Sequence, residues 1–230
     1  MTDDPQPPPA YIGVREWRDL LTWCVAALVG LAVTAWAVGA GADLGTSGPP
    51  FLGRFQFRLT PMSLLAPLVA AGILALGIRG WFDRAPWWRV HLLAYAAALA
   101  WALSLAVVDG LAGLTGSLRD PDNYGADVAD VGDGPGRYLR DYVADPDIHS
   151  TAARGHPPGP VLLLWVLHKL GLTSALGLAL VITAAGVATV PLVLSAVRGV
   201  SGAPTARRYA PVLILAPYAI WVAVSADVFV

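Results

Sequence analysis

The stretch that decides the fold is VHLLAYAAALAWALSLAVV, residues 90–108, which contains no Asp, Glu, Lys or Arg. As an α-helix this stretch is about 28 Å long, close to the roughly 30 Å hydrocarbon core of a bilayer. A surface helix of a soluble bundle would carry a polar stripe along one side, and this stretch has none. The stretch therefore predicts a transmembrane helix.

Four further windows of similar length also lack charged residues: 20–42, 59–78, 170–197 and 209–226. The whole chain of 230 residues is 56% hydrophobic and only 13% charged, which excludes an ordinary soluble domain. We expect an all-α protein, a polytopic transmembrane helical bundle of about five spans whose main partner is the lipid bilayer. The net charge of −1 does not bear on a nucleic-acid partner, but no basic cluster is dense enough to indicate one, so we expect none.

The distribution of arginine predicts the orientation of these spans. Short connections that carry basic residues stay in the cytoplasm. Five spans with a cytoplasmic N-terminus put three short arginine-rich segments on that side: Arg15 and Arg18, then Arg79, Arg84 and Arg89, then Arg198, Arg207 and Arg208. We therefore expect a multi-pass protein of the cell membrane.

One apolar segment is too short to cross. Residues 156–168, HPPGPVLLLWVLH, have an uncharged run of about a dozen residues, or roughly 18 Å of helix. Pro157 and Pro158 suit the start of a helix and not its interior. We expect residues 157–170 to form a juxtamembrane helix at the outer surface.

This topology divides the chain into four parts. They are a cytoplasmic tail (1–17), three transmembrane helices (18–114), an extracytoplasmic acidic loop with juxtamembrane helices (115–171) and two further transmembrane helices (172–230). The last span is followed by no charged flank, which suggests a truncated product or a fragment.

The acidic loop, residues 116–157, is the most polar part of the chain, with eight Asp, no Glu, four Arg and two His. A loop of this length is usually either functional or a solvated cover over the bundle. Residues 136–144 within it have the pattern of a short helix. Aspartates at this density can bind a divalent metal ion through oxygen ligands, although the pattern assigns no ligand set.

Three polar residues are expected at the outer surface: Asp109 and Asp227 each end a span, and His156 opens the short apolar segment. Ionisable residues beside a membrane are costly and often functional, although each could simply reach headgroups and water. We expect the three to line one outward-facing cavity below the acidic loop.

The order of these features resembles the N-terminal part of GT-C glycosyltransferases, which include protein O-mannosyltransferases and the aminoarabinose transferases of lipid A. A span ends in Asp109, a long outer loop follows, Arg154-Gly155-His156-Pro157-Pro158 opens an apolar helix, and a final span ends in Ser225-x-Asp227. The resemblance covers about residues 90–230, with two additional spans before it.

The resemblance implies transfer of a sugar from a polyprenyl-phosphate donor at the outer face. An aspartate of the first outer loop would act as general base or organise a divalent ion. Asp109 fits that position best, but Gly110 follows it where relatives have a second acid, so Asp120 and Asp122 remain alternatives. The residues expected to contact the substrate are Arg154, His156 and Asp227.

The alternative is a non-catalytic membrane protein, such as a transporter subunit or a scaffold. The spans contain no ionisable group at mid-depth and the two halves do not repeat each other, which disfavours a transporter. The sequence does not discriminate against a scaffold.

Overall fold

The computed structural model describes residues 14–40, 59–132 and 134–223. Within these ranges the backbone forms helices and turns without a strand, which confirms the all-α prediction. The chain separates into two compact units between residues 54 and 55. The first unit contains α1 (Val14–Gly39), a 26-residue helix on which Trp23 and Leu28, among other apolar side chains, are exposed.

The second unit contains the remaining described helices. They are α2 (Leu65–Ile78), α3 (Trp81–Arg84), α4 (Trp87–Ala106), α5 (Leu111–Arg119), α6 (Val128–Val131), α7 (Pro135–Ala144), α8 (Thr151–Gly155), α9 (Gly159–Lys169), α10 (Ala175–Val187), α11 (Thr189–Ile214) and α12 (Ala219–Val222). Three 3₁₀ turns, at Pro61–Leu64, Val107–Asp109 and Pro146–Ile148, precede α2, α5 and α8.

Three helical runs in the described ranges are long and apolar enough to cross a membrane: Pro61–Ile78, Trp87–Asp109 and Ala175–Ile214. Large apolar side chains on their outer surfaces are exposed, among them Leu68, Leu92 and Leu192. A bilayer solvates such side chains, so their exposure fits a membrane protein. The transmembrane prediction is thus confirmed in its coarse form.

The bundle core follows a stripe of small residues along α4. Val90, Ala94, Ala98 and Ala102 occur every four residues, so they lie on one face of the helix, and they are buried almost completely. α2, α10, α11 and α12 pack around α4, and Ala210 and Ile214 of α11 belong to the same core. Small side chains let the helix backbones approach closely, which is how membrane helices gain packing contacts.

α11 differs from the prediction for residues 198–208, which we expected to be a cytoplasmic loop between two spans. These residues are helical except at one point, so the connection between the two predicted spans is a break within a helical run, and its location in the cytoplasm stays a prediction. The backbone leaves helical geometry only at Gly202, where φ is 84° and ψ is 164°. A single glycine can make this sharp break because it lacks the Cβ that forbids such angles to other residues.

The two short helices predicted in and after the acidic loop are both present. α7 covers Pro135–Ala144, against a predicted 136–144, and α9 covers Gly159–Lys169, against a predicted 157–170. Pro160 stands in the first turn of α9, where a missing backbone N–H costs nothing. The location of α9 at the surface of a bilayer stays a prediction.

Candidate functional site

The acidic loop folds around a small core of its own. Tyr124, Val131 and Tyr138 of the loop are buried against Val161 and Leu164 of α9, and Leu178 and Ile182 of α10 complete the core. The indole N–H of Trp165 donates a hydrogen bond to the Gly132 carbonyl oxygen, 2.8 Å away. The loop is therefore a structured cap on α9 and α10, and not only a solvated cover.

This cap lies at the far end of α4 from the arginines. Arg198 and Arg207 both lie over the ring of Trp87, at the start of α4, with guanidinium carbons 4.7 and 5.3 Å from its centre. Arg79, Arg84 and Arg89 line a neighbouring cavity of about 430 Å³. The acidic loop follows the other end of α4, so this group of arginines and the eight aspartates of the loop lie at opposite ends of the bundle.

Among the predicted site residues, Asp120, Asp122 and Arg154 belong to one hydrogen-bonded group centred on Thr151. The Thr151 hydroxyl donates a long hydrogen bond of 3.4 Å to Asp122 Oδ1. Arg154 Nη2 donates to the oxygen of the same hydroxyl at 3.3 Å. Asp120 Oδ1 accepts a hydrogen bond from the Asp122 backbone N–H at 2.9 Å, which closes the turn before α6. Thr151 thus connects a carboxylate and a guanidinium across the loop.

Two further contacts fix the segment that carries Arg154. The backbone N–H of Ala152 donates to the carbonyl oxygen of Asp122 at 3.1 Å, which joins the two halves of the loop. Arg154 Nη1 also lies 3.5 Å from Asp147 Oδ1, but both side chains are largely exposed. Such an exposed ion pair contributes little stability, on the order of 0–1 kcal/mol.

His156 lies two residues beyond Arg154 and is half-buried. Its Nδ1 is 3.0 Å from the carbonyl oxygen of Ala152, and its ring meets the edge of Tyr124 at a centroid distance of 6.0 Å. The Tyr142 hydroxyl contacts the carbonyl oxygens of Ala153 and His156. His156 is therefore held in position beside the Thr151 group.

Asp109 ends the 3₁₀ turn that follows α4, and its side chain is exposed. The nine residues of α5 separate it from Asp120, a rise of about 14 Å. Asp227 and Ser225 lie outside the described residues. The convergence of Asp109, His156 and Asp227 on one cavity stays a prediction.

The sequence analysis missed the most enclosed polar cluster of the cap, formed by Asp127, Asp130 and His149. Ligand atoms of these three residues all lie within 4.8 Å of one another. Asp127 and His149 are buried, whereas Asp130 is exposed. The available signal was the i, i+3 spacing of the two aspartates, which puts them on one side of a helical turn. The high aspartate content of the whole loop concealed it.

Several polar atoms of this cluster and of the neighbouring Tyr138 are buried without a hydrogen bond. They are both ring nitrogens of His149, Oδ2 of Asp127 and the hydroxyl of Tyr138. Asp127 Oδ1 accepts from the Ser150 backbone N–H at 3.0 Å and lies 3.4 Å from His149 Nδ1. These buried nitrogen and oxygen atoms inside the cap can therefore still bind a ligand.

Two tyrosines enclose the His149 ring. Tyr142 stacks on it and Tyr138 meets it edge-on, each with a centroid distance of 5.1 Å. Burial, reinforced by the negative charge of Asp127, raises the pKa of both tyrosines above the ordinary value of 10.0. Both tyrosines are therefore neutral at physiological pH, and neither offers a phenolate.

Comparison of the chain with protein-family models, with curated proteins and with solved structures found no match.

Proposed function

We propose that the chain is a multi-pass membrane protein with five crossings, whose arginine-rich end faces the cytoplasm and whose acidic cap faces outward. α1, α2 and α4 supply three crossings. α10 with the part of α11 before Gly202 supplies the fourth, and the part of α11 after Gly202 together with α12 supplies the fifth. The 23 residues of Trp87–Asp109 rise about 34 Å, enough to separate the two ends by a hydrocarbon core. The positive-inside rule then gives the direction.

Cysteine labelling tests this orientation. In a Cys24→Ala background, Val143→Cys in α7 and Ser201→Cys beside the kink provide exposed positions at opposite ends. A membrane-impermeant maleimide added to intact cells should label position 143 and not position 201. Labelling at 201 in intact cells would overturn the orientation.

We further propose that the cap binds a polyprenyl-phosphate sugar and transfers the sugar to an acceptor hydroxyl. The observation that carries this proposal is the Thr151 group, which joins Asp122 to Arg154 beside His156 at the acidic end of the bundle. Arg154 presents a planar fork of donors suited to a phosphate. Asp122 is an exposed carboxylate in reach of an incoming hydroxyl.

Asp122 and Arg154 together account for the proton and the leaving group of this transfer. The acceptor oxygen forms a bond to the anomeric carbon while the bond from that carbon to the phosphate oxygen breaks. Asp122 takes the proton of the acceptor hydroxyl as general base, and the polyprenyl phosphate leaves with the bonding electrons beside Arg154. The resemblance favoured Asp109 as the base, with Asp120 and Asp122 as alternatives, so Asp109 and Asp120 remain the alternative bases.

The test is transfer of a radiolabelled sugar from a polyprenyl-phosphate donor by the full chain in nanodiscs. We expect Asp122→Asn to lower the rate at least about 100-fold, in the range of general-base catalysis, and Arg154→Lys to raise the donor KM. Asp145→Asn, an exposed aspartate after α7, is the matched control and should keep full activity. If the wild-type chain neither binds nor transfers the sugar, a non-catalytic membrane protein is the better description. Loss of activity in Asp109→Asn or Asp120→Asn alone would move the base to that residue.

A further inference from the structure

The strongest unexplained feature outside the Thr151 group is the buried His149 ring. The side chain is 2% exposed, and neither ring nitrogen makes a hydrogen bond. A buried polar atom without a partner costs free energy, so native proteins rarely leave one unsatisfied. Asp127 Oδ2 and the Tyr138 hydroxyl are unsatisfied in the same small space. A ligand bound in this space would satisfy one His149 ring nitrogen together with the Asp127 carboxylate.

The spacing of the ligand atoms identifies the kind of partner. A tetrahedral Zn²⁺ with bonds of about 2.0–2.2 Å holds neighbouring ligand atoms about 3.3–3.6 Å apart. Asp127 Oδ1 and His149 Nδ1 are 3.4 Å apart, which already matches. Asp130 completes a set in which all three ligand atoms lie within 4.8 Å of one another, and its carboxylate is exposed. Binding would require the Asp130 carboxylate to move closer to the other two ligand atoms.

We propose that Asp127, Asp130 and His149 form a binding site for one divalent transition-metal ion of the zinc class. The ion would join α6 to the segment before α8, which are far apart in the loop sequence, and water would take the remaining coordination position. This inference does not rest on the proposed transferase activity, because it involves none of the residues of the Thr151 group.

The donor set favours a transition-metal ion over Ca²⁺ or Mg²⁺. Both of the latter prefer oxygen ligands, and Ca²⁺ takes six to eight of them. An imidazole nitrogen with two carboxylates suits zinc and its first-row neighbours. The Tyr138 hydroxyl, neutral and unsatisfied beside Asp127, is available to donate a hydrogen bond to a ligand carboxylate or to the bound water. Such supporting hydrogen bonds orient metal ligands.

The experiment measures Zn²⁺ binding to the purified full chain in detergent after removal of metal with a chelator. Isothermal titration should give one ion per chain, and elemental analysis of dialysed protein should give the same ratio. Asp127→Asn and His149→Gln should weaken the affinity at least about 100-fold, and Asp130→Asn about 10-fold, the range in which even supporting residues act. Addition of Zn²⁺ should raise the melting temperature of the wild type and not of Asp127→Asn.

Two variants serve as matched controls. Asp141→Asn removes an exposed carboxylate of α7, and His168→Gln removes an imidazole of α9 that contacts the carbonyl oxygen of Leu164. Both should bind Zn²⁺ as the wild type does. Asp130 is exposed, so Asp130→Asn is expected to fold even if changes at the buried residues do not.

The outcomes are decisive in either direction. Co²⁺ substituted into the wild type should give the visible absorption of a four- or five-coordinate site, and Asp130→Asn should alter that spectrum. Absence of stoichiometric Zn²⁺ binding by the wild type, or unchanged affinity in Asp130→Asn and His149→Gln, would overturn the metal site and leave a buried contact between His149 and Asp127. The transferase assay with Asp122→Asn and Arg154→Lys is read separately, so either proposal can fail alone.

Discussion

The hydroxyl groups of Thr189 and Tyr218 lie 3.3 Å apart although 29 residues separate them in the sequence. A straight helix of that length would hold them about 43 Å apart. The chain must therefore reverse between them, and the only non-helical residue inside α11 is Gly202. Trp87 supports the same conclusion, because Arg198 before the break and Arg207 after it both lie over its ring.

Gly202→Ala should destabilise the protein, because its φ of 84° and ψ of 164° fall in a region that is almost restricted to glycine. We expect a loss of about 1–3 kcal/mol in the free energy of unfolding. Gly199→Ala is the control three residues earlier, where a Cβ meets no atom within 4 Å and alanine favours the helix. Thermal unfolding in detergent measures both. If the two variants were equally stable, the backbone at Gly202 would accept a Cβ without strain, and this prediction would be wrong.

Arg207 is the basic residue that should matter most for packing. Its Nη1 contacts the carbonyl oxygens of Phe82 and Ala85, the latter at 2.7 Å, and its guanidinium lies over Trp87. Lysine lacks the planar fork of donors, so Arg207→Lys should cost about 1–2 kcal/mol of unfolding free energy.

Arg208→Lys tests whether the charge alone explains the effect, because Arg208 is exposed. It should change the stability by less than about 0.5 kcal/mol. The measurement is chemical denaturation of both variants in the same detergent. A comparable loss in Arg208→Lys would refute a specific role for the contacts of Arg207.

The helical bundle could be predicted because a stretch of about 20 residues without a charged side chain is typical of a helix that crosses a bilayer. The arginines between two such stretches, Arg198, Arg207 and Arg208, predicted a connection there. They did not predict that this connection is helical and breaks at the single residue Gly202. Length alone identified α9 as a short helix. These features depend on local sequence, which is why they could be predicted.

The polar sites depend on contacts between distant residues, and the sequence does not give those. Asp122 and Thr151 meet across 29 residues, and Asp127 and Ser150 across 23. Nothing in the aspartate-rich sequence distinguishes buried Asp127 from exposed Asp130. The distinction arises from the core of Tyr124, Tyr138 and α9, which is a tertiary feature.

Gly113→Ala tests the close approach that connects α4 to α5. A Cβ at Gly113 would lie 2.2 Å from the carbonyl oxygen of Ala106, too close for any real contact. Either the turn at Val107–Asp109 or the start of α5 must shift, and we expect a cost of about 1–3 kcal/mol, typical of overpacking. Gly116→Ala in the same helix meets nothing within 4 Å and should be neutral or stabilising. Thermal unfolding compares the two, and an unaffected Gly113→Ala would contradict this packing.

The raised pKa of Tyr138 predicts how the stability responds to alkaline pH in chelator-treated protein. In the folded state the phenol keeps its proton above the ordinary value of 10.0, because burial and the nearby Asp127 charge disfavour the phenolate. The unfolded chain loses that proton near pH 10, so the stabilisation is complete below pH 10 and decreases as the pH rises further. The decrease is about 1.4 kcal/mol for each pH unit while the folded protein stays protonated.

Tyr138→Phe should remove part of this dependence. At pH 7 the change should affect stability little, because the Tyr138 hydroxyl makes no hydrogen bond that phenylalanine would lose. Between pH 10 and 11 the variant should lose less unfolding free energy than the wild type. Tyr209→Phe, at an exposed position of α11, is the control and should retain the wild-type slope. Thermal unfolding across this range measures the slopes. An unchanged slope in Tyr138→Phe would show that this buried phenol is not the group that titrates on unfolding.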